Sequence, residues 1–407
     1  MARLYPNEKS NHLPKFILFE ADKTVSLRLY IYTEMKPHLV EVKNRKQLRQ
    51  FITYPEKLYK DCPQWVPALI GDEFDTLTEK NAASKFCESI LYLALNDKNE
   101  IVGRIAGIIN HNANRDWNEK NVRFGWLDFI NDVEVLSTMI DAVKTWGKAK
   151  GMTKIKGPLG FTDMDKEGLL VEGYENLSPF TCLYNYPYYG ELLEQIGFTK
   201  DADWTQRLVE IPDEMPPMFQ YANLVEERFG LHVYKGRDMR KMRKDYGLEL
   251  FHLVNTSFAP LYEFSPLSDE QIERYLDTYV PILDPDFVCI LLDADERIAG
   301  FAFCVPSLSK AVKKSNGRLF PFGFIRILKA LKKNDTLEAL MIGVLPEYQG
   351  KGATVLMFKY LHENCLKRGI KTMLANPQLE TNSRVQSLWG DYPNHLYMRR
   401  RSYTMDL

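Results

Sequence analysis

The chain has 407 residues, which is long for a single hydrophobic core and sufficient for two domains. Hydrophobic residues make up 45% of it and aromatic residues 12%, a composition typical of a folded globular protein and not of a disordered one. The formal net charge of -1 supplies no dominant electrostatic field, so nucleic acid is not an expected partner.

The spacing of the cysteines and histidines indicates neither a disulfide framework nor a metal site. The six cysteines are scattered, with neither a Cys-x-x-Cys motif nor a zinc-ligand spacing. We therefore expect reduced, buried thiols, a cytoplasmic location and no metal. His362 and His395 are predicted at the surface. No apolar run approaches the ~20 residues that a membrane helix requires, so no membrane span is predicted.

The first half alternates strand-like and helical patterns. Residues 1–34, with a strand-like run at 25–32, are predicted to be an extension of unknown role. A first strand is expected at 39–42, followed by a helix over 45–59 that should break near Pro55. Two hairpin strands, a third strand, a helix and a short strand follow over residues 90–95, 101–109, 124–129, 133–150 and 154–158. A glycine-rich, acidic loop and a tyrosine-rich helical segment complete this half.

The second half repeats much of this order. A hairpin at 287–303, a strand at 337–344 and a helix at 354–368 correspond to the hairpin, strand and helix of the first half. A repeat of this length indicates two similar domains. A basic run, a strand-like run and a helix with a capping box precede this second hairpin, at 235–244, 248–254 and 269–279.

The second strand and its helix are joined by Gln349-Gly350-Lys351-Gly352-Ala353-Thr354. Glycines before a helix let the backbone approach a ligand closely, and the free amides of the first helical turn suit phosphate oxygens. Lys351 adds a positive charge. The spacing matches neither the dinucleotide fingerprint nor the P-loop, which disfavours nicotinamide cofactors and nucleoside triphosphates.

The stretch from Val344 to Gly352, Val-x-Pro-x-Tyr-Gln-Gly-Lys-Gly, resembles the acetyl-CoA loop of the GNAT superfamily of acyl-CoA N-acyltransferases. In that superfamily the loop pattern is Gln/Arg-x-x-Gly-x-Gly/Ala, and the loop amides hold the CoA pyrophosphate. Gln349 and Gly352 match it, whereas Thr354 replaces the usual Gly or Ala. The resemblance implies acetyl-CoA as cosubstrate and an α/β fold of two tandem GNAT-like domains, each a mixed, mostly antiparallel sheet flanked by helices.

The resemblance also implies donor-binding residues. In GNAT enzymes the strand before the loop splays from its neighbour, and a backbone amide meets the thioester oxygen, which here corresponds to Ile342, Gly343 and Val344. Asn382 corresponds to an asparagine that follows the next strand. The residues implied to hold the pyrophosphate are Gln349, Gly350, Lys351, Gly352, Ala353 and Thr354.

The acid and base are less clearly marked. The tyrosine that often serves GNAT enzymes as general acid is replaced by Trp389, which has no acidic proton to give at neutral pH. A tyrosine from the C-terminal segment would have to replace it, and Tyr403 is selected over Tyr392 and Tyr397. The candidate bases are Glu263, Asp286 and Glu338, or an ordered water chain; Glu338, on the strand, is selected.

We place the two domains at 35–212 and 213–407, because prolines cluster at 211–217. The first copy has Ile-Asn-Asp-Val-Glu-Val at 130–135 in place of the glycine loop, and its carboxylates would repel phosphates. We expect only the second domain to bind CoA, while the first has a structural or acceptor-binding role. An insertion at 307–336, with an apolar run and a basic rim, is a lid, a partner surface or a buried covering segment, and is where a lipid-like acceptor would fit.

The predicted function is an acetyl-CoA-dependent N-acyltransferase acting on a small-molecule or protein amine. One alternative is a binding or scaffold protein that keeps the fold without turnover, which the departures Thr354 and Trp389 favour. Another is a transferase that uses aminoacyl-tRNA, because such enzymes also join two GNAT-like domains. The near-zero net charge disfavours that alternative.

Overall fold

The fold is known from a computed structural model that describes residues 37–407. The extension predicted over residues 1–34, with its strand-like run at 25–32, lies outside the described residues.

Fourteen strands of the described chain form one continuous sheet, in which most neighbouring strands are antiparallel. Their spatial order is 1-2-3-4-5-14-7-12-11-10-9-8, with strand 13 beside strand 7 and strand 6 beside strand 14. The strands are β1 (His38–Glu41), β2 (Cys87–Leu95), β3 (Ile101–Asn110), β4 (Asn121–Phe129), β5 (Lys154–Gly157), β6 (Leu169–Glu172), β7 (Thr199–Glu210), β8 (His232–Val233), β9 (Val288–Leu292), β10 (Ile298–Pro306), β11 (Thr336–Val344), β12 (Thr372–Ala375), β13 (Gln378–Leu379) and β14 (Asn394–Asp406).

Helices flank this sheet and bury their apolar sides against it. One core lies between α11 and the second-half strands, another between α4 and the first-half strands, and a third under α7 and α8. The helices are α1 (Arg45–Leu58), α2 (Ile70–Thr76), α3 (His111–Asp116), α4 (Val133–Ala149), α5 (Tyr188–Gln195), α6 (Ala222–Phe229), α7 (Met239–Phe258), α8 (Asp269–Tyr279), α9 (Ser309–Lys314), α10 (Gly323–Lys332), α11 (Ala353–Arg368) and α12 (Ser383–Gln386).

Each half contains the same unit, a strand, a helix and a parallel strand: β4-α4-β5 in the first half and β11-α11-β12 in the second. The halves exchange their last strands. The final strand of the first half, β7, pairs with β12, and the final strand of the chain, β14, lies between β5 and β7. The sheet therefore continues across the domain limit proposed at residues 212 and 213.

Most predicted elements are present with nearly the expected bounds. The capping box of α8 is confirmed, because Ser268 accepts the Gln271 N–H and the Gln271 side chain accepts the Ser268 N–H. Helix α11 ends at Gly369, whose φ of 70° is the left-handed conformation common after helices.

The predicted break at Pro55 is wrong, since α1 continues through it to Leu58. A proline leaves the carbonyl four residues earlier without its helical donor. Here that carbonyl belongs to Phe51, and Arg104 Nη1 donates to it at 2.8 Å. A donor from β3 therefore replaces the missing N–H.

Two further predictions are wrong because tertiary packing overrides the local pattern. Residues 248–254, predicted as a strand, lie within α7, where Leu250 and Val254 face the core one helical turn apart. His362, predicted at the surface, is buried on α11, and burial lowers its pKa. His395 is exposed, as predicted.

The cysteines are present as free thiols. All six cysteines are free, five of them buried and Cys62 half-buried. Between residues 37 and 407, no three histidine, cysteine, aspartate or glutamate side chains are grouped to hold a metal ion. Over the same range, no helix has both the length and the apolar character needed to cross a membrane.

Candidate active site

The parallel strands β11 and β12 open into a fork. They pair only along residues 336–339, although β11 continues beside β10 to Val344. Asn376 fixes the start of the fork, because its backbone N–H donates to the Ala339 oxygen and its Nδ2 donates to the Leu340 oxygen, both at 3.1 Å. The fork leaves the end of β11 with an open edge.

This open edge presents backbone N–H groups. Leu345 donates its N–H to the Ala299 oxygen at 2.9 Å, on the β10 side. Because the direction alternates along a strand, Gly343 also faces β10, and the N–H groups of Ile342 and Val344 point into the fork. N–H groups fixed in this way suit the oxygen of a thioester in its reaction. The strands splay as expected, while contact of these residues with a thioester stays a prediction.

The loop between β11 and α11 adopts a conformation that requires glycine. Gly350 and Gly352 have φ values of 73° and 82°, in the left-handed region. A Cβ on Gly352 would lie 2.6 Å from Val225 Cγ2, whereas a Cβ on Gly350 would meet no atom within 4 Å. Ala353 and Thr354 begin α11, where N–H groups lack helical partners and the helix dipole is positive. Both glycines and both helix residues line the cavity described below.

Arg384 supplies a positive charge beside this loop. Its Nη1 donates to Gln349 Oε1 at 2.6 Å, and Gln349 Nε2 donates to the Val344 oxygen at 3.0 Å. Both side chains line the cavity. Lys351, expected to charge the loop, instead places its Nζ 5.6 Å from the centre of the Tyr348 ring and is not among the described residues that line the cavity. Arg384 is therefore better placed than Lys351 to meet a phosphate.

Asn382 and Trp389 shape the neighbouring wall of the cavity. Asn382 is the N-cap of α12, and its Oδ1 accepts the Val385 N–H at 3.3 Å. Trp389 is buried against Phe358, with 5.6 Å between ring centres, and donates Nε1 to Gln378 Oε1 at 3.2 Å. The indole is thus a packing residue.

One large cavity joins the fork to the first half of the chain. Its volume is about 1090 Å³, and its walls come from the β11–α11 loop, from α7 and α8, and from residues 163–167 of the first half. Apolar side chains such as Met242, Phe251 and Phe303 line much of it. This volume is at the upper end for small-molecule sites, which leaves room for a donor and an acceptor together.

Carboxylates of the acidic loop between β5 and β6 face this cavity. Asp163, Asp165 and Glu167 all line it. Asp165 is engaged within the loop, because its Oδ2 accepts the Thr162 N–H at 3.0 Å. Burial raises the pKa of Asp163 to about 6, and burial together with the Asp163 charge raises the pKa of Glu167 well above its usual range. Carboxylates with raised pKa values in a cavity are candidate proton acceptors.

Glu338, the predicted base, lies on β11 behind the cavity wall. Its Oε1 accepts hydrogen bonds from Ser307 Oγ (2.6 Å) and Ser309 Oγ (3.2 Å), and burial raises its pKa to about 7. Thr181 lines the cavity, whereas Glu338 itself does not. The glutamate can hold a proton near neutral pH, but it is buried outside the cavity lining.

The other two candidate bases are held in ion pairs. Glu263 accepts from Arg123 Nη2 at 2.7 Å and from Lys156 Nζ at 3.0 Å. Asp286 pairs with two arginines, each at 2.7 Å. Although burial opposes the effect, the neighbouring cations hold the pKa of each carboxyl below its usual range. Both groups are therefore structural.

The structure separates the C-terminal tyrosines from the cavity. Tyr403 lies on β14 opposite Gly157 of β5, in the core of the first half, and its Oη donates to Glu194 Oε1 at 3.2 Å. Tyr392 and Tyr397 likewise bond within the protein, and none of the three lines the cavity. The strand exchange places Tyr403 there, so we do not retain it as the acid.

Sequence reasoning missed the roles of Arg384, Asn376 and the cavity carboxylates. Arg384 lies two residues after Asn382, and that short spacing is a signal that could have linked it to the donor loop. Asn376 follows β12 directly, where a fork needs a side chain to satisfy the freed carbonyls. The acidic loop was visible in sequence, but only the fold brings Asp163 and Glu167 into the same cavity as the donor loop.

Comparison with known proteins defines the class. Residues 248–390 match the family model described as Acetyltransferase (GNAT) family. Among solved structures, a tandem GNAT protein from the clavulanic acid biosynthesis pathway superposes with a TM-score of 0.51 at 11% identity, covering 91% of this chain and 98% of that one. Residues 248–390 are therefore similar to the GNAT acetyltransferase family, and the chain has the fold of a tandem GNAT protein. The resemblance and the fold class predicted from sequence are both confirmed.

Two curated relatives align over nearly their whole length. Protein YghO of Escherichia coli (strain K12) is 27% identical over 382 residues, which cover 88% of this chain and 93% of that protein. The bacterial ceramide synthase of Caulobacter vibrioides (strain NA1000 / CB15N) is 23% identical over 378 residues, which cover 90% of this chain and 96% of that protein. The similarity thus extends over both halves.

Proposed function

We propose that this protein is an N-acyltransferase that moves an acyl group from an acyl-CoA thioester to a primary amine. The observation that supports it most directly is that the donor loop and the carboxylates Asp163 and Glu167 line one cavity. A thioester donor and an amine acceptor need those two kinds of group within reach of each other. The free thiols are consistent with the predicted cytoplasmic location.

The donor half of the site would act through backbone and charge. The amides of Gly352, Ala353 and Thr354 would hold the pyrophosphate, with Arg384 adding a charge-assisted contact. The thioester oxygen would meet the N–H groups of Ile342 and Val344 in the fork. These donors are fixed by the sheet before the substrate arrives, so they can stabilise the oxyanion without reorganising.

The acceptor half would act through the acidic loop. An amine enters as an ammonium ion, which carboxylates attract, and one proton passes to Glu167 or Asp163. The amine nitrogen then attacks the thioester carbon, the carbon–sulfur bond breaks, and the second excess proton on nitrogen passes to the leaving thiolate. The products are an amide and CoA with a free thiol, so no separate tyrosine acid is required.

The cavity and one relative favour an acceptor or acyl group with an apolar chain. The family resemblance implies acetyl-CoA, but about 1090 Å³ of cavity with apolar walls leaves space for a longer acyl chain. One relative is named a bacterial ceramide synthase, and a ceramide is an amide of a long-chain amine. We therefore extend the proposed donor from acetyl-CoA to acyl-CoA in general.

Turnover tests this function. The purified chain would be incubated with acetyl-, octanoyl- and palmitoyl-CoA and a panel of short- and long-chain amines, while free thiol release and amide mass are followed. We expect amine-dependent thiol release with a matching amide, lost in Glu167→Gln. Thiol release without an amide would show a hydrolase, and tight acyl-CoA binding without any turnover would favour the scaffold alternative.

A further inference from the structure

Helix α10 and the turn before it expose a cluster of large apolar side chains. Phe320 is 79% exposed, Phe322 is 65% exposed and Leu328 is 52% exposed, and Phe324 and Ile325 accompany them. We call these five residues the apolar face of α10. Contiguous exposed aromatic residues on a folded domain indicate an interaction surface.

The apolar face is distinct from the side of α10 that the fold buries. Ile327 and Leu331 point to the protein and pack on a small core formed by Val66, Leu308 and Val312. The exposed side chains lie on other sides of the helix, at positions 324, 325 and 328. Helix packing is therefore satisfied without them, and their exposure needs another explanation.

The segment that presents this face is firmly attached to the first half. Lys313 Nζ donates to the Trp65 oxygen at 2.9 Å and to the Cys62 oxygen at 3.3 Å. Arg318 pairs with Glu56 at 3.0 Å. The aromatic rings are thus presented by an anchored element.

Positive charge surrounds the apolar face. Residues 309–334 contain eight lysines and arginines and no aspartate or glutamate. Arg326, Lys329, Lys332 and Lys333 are exposed on α10 and just after it. A helix with an apolar side and a basic flank is complementary to a bilayer surface that contains anionic lipids.

We propose that α10 docks the protein on the surface of an anionic lipid bilayer. The aromatic rings enter the boundary between headgroups and acyl chains, and the basic side chains meet lipid phosphates. Docking would also bring the cavity near the bilayer, because Phe180 lines the cavity, packs on the same small core as α10 and donates its N–H to Ser309 Oγ at 2.9 Å. Docking itself does not depend on the proposed reaction, although a lipid-like substrate would give it a purpose.

Vesicle binding tests this surface. The full chain would be sedimented with vesicles of phosphatidylcholine alone and of phosphatidylcholine with phosphatidylglycerol, at low and high salt. We expect binding to the anionic vesicles that salt weakens. The double variant Phe320→Ser/Phe322→Ser should lower the partition coefficient about tenfold or more, because two rings lose their burial in lipid. Lys329→Glu/Lys333→Glu should weaken binding to the anionic vesicles alone.

A matched control variant distinguishes binding through this surface from non-specific hydrophobic binding. Tyr221→Ser/Leu224→Ser removes two exposed apolar side chains, one just before α6 and one on it, and should leave vesicle binding unchanged. The proposal is overturned if the full chain does not bind anionic vesicles. It is equally overturned if Phe320→Ser/Phe322→Ser binds them like the wild type. A third outcome also overturns it: the wild type does not bind vesicles but forms a dimer, and Phe320→Ser/Phe322→Ser dissociates that dimer. A second copy of the chain would then cover the apolar face.

Discussion

Arg384 and Lys351 differ in a way that a single pair of substitutions can test. Arg384 faces the cavity at the donor loop, while Lys351 lies over an aromatic ring. Arg384→Gln should raise the dissociation constant for CoA roughly tenfold or more, the usual scale for a charge-assisted hydrogen bond. Lys351→Gln should change it by less than about threefold. Calorimetric titration with CoA measures both, and equal losses in the two variants would contradict the assignment.

The pH dependence of turnover reports on the cavity carboxylates. A base must be unprotonated to act, and burial raises the pKa of Asp163 to about 6 and that of Glu167 well above its usual range. The rate at low substrate, kcat/KM, should therefore fall as the pH falls, through about 6 where Asp163 takes the proton and at a higher pH where Glu167 does. Glu167→Gln should lower it about 100-fold or more. The control is Glu175→Gln, an exposed carboxyl outside the cavity, and a Glu167→Gln variant with the wild-type pH profile would rule this base out.

At the residue scale, the sequence was informative where local geometry decides. The sequence predicts that Gly350 and Gly352 let the backbone approach a ligand; their left-handed φ values explain why the loop needs glycine, and the binding role stays a prediction. Lys351 does not line the cavity, because its ammonium group lies over the rings of Tyr348 and Phe229, contacts between side chains that spacing does not encode. Tyr403 lies away from the cavity because the two halves exchange strands, which is a property of the whole molecule.

At the element scale, strong periodicity predicted most helices and strands, and tertiary contacts explain the exceptions. The run at 248–254 was ambiguous, because a short apolar stretch can be a strand or part of a buried helix. Its neighbours on both sides continue the helix from 239 to 258. The fork between β11 and β12 was expected from the family resemblance, whereas Asn376, which closes its base, needed the structure.

Helix α1 offers a test of how a tertiary contact replaces a local one. Arg104 is buried, donates to the Phe51 carbonyl that Pro55 leaves open, and pairs with Asp128 at 2.7 Å. Arg104→Met should lower the free energy of unfolding by about 3–5 kcal/mol, because it leaves a buried charge without its partner. Arg115→Met, at an exposed site, should change it by less than about 0.5 kcal/mol. Urea denaturation measures both, and a loss at Arg104 no larger than at Arg115 would contradict this account of α1.

At the scale of the whole molecule, the internal repeat predicted two similar halves but not their exchange of strands. Placing β14 between β5 and β7 depends on long-range pairing, and a strand's sequence pattern records its burial but not its neighbour. That exchange moves Tyr403 into the first half and brings the acidic loop of the first half to the cavity of the second. The acceptor side of the site was therefore beyond prediction from local patterns.

The exchange predicts that the two halves unfold together. Removing either half would leave β7 or β14 without its sheet neighbours. Tryptophan fluorescence and circular dichroism should therefore show one coincident transition in urea, although chains of this length often unfold in steps. Two separated transitions would show that the halves are independent despite the shared sheet.

The central claim is that the β11–α11 loop binds acyl-CoA, and Gly350 allows the most direct test of it. Its left-handed conformation is adopted occasionally by aspartate and asparagine, and a Cβ there would meet no atom within 4 Å. Gly350→Asp would place a negative charge at the proposed phosphate site, while Gly350→Asn has nearly the same shape without the charge. The measurement is calorimetric titration of the wild type and both variants with acetyl-CoA and palmitoyl-CoA. We predict one binding site per chain, retained in the asparagine variant and lost in the aspartate variant. The claim would be contradicted if the wild type bound neither thioester at millimolar concentration, or if the aspartate variant bound like the wild type.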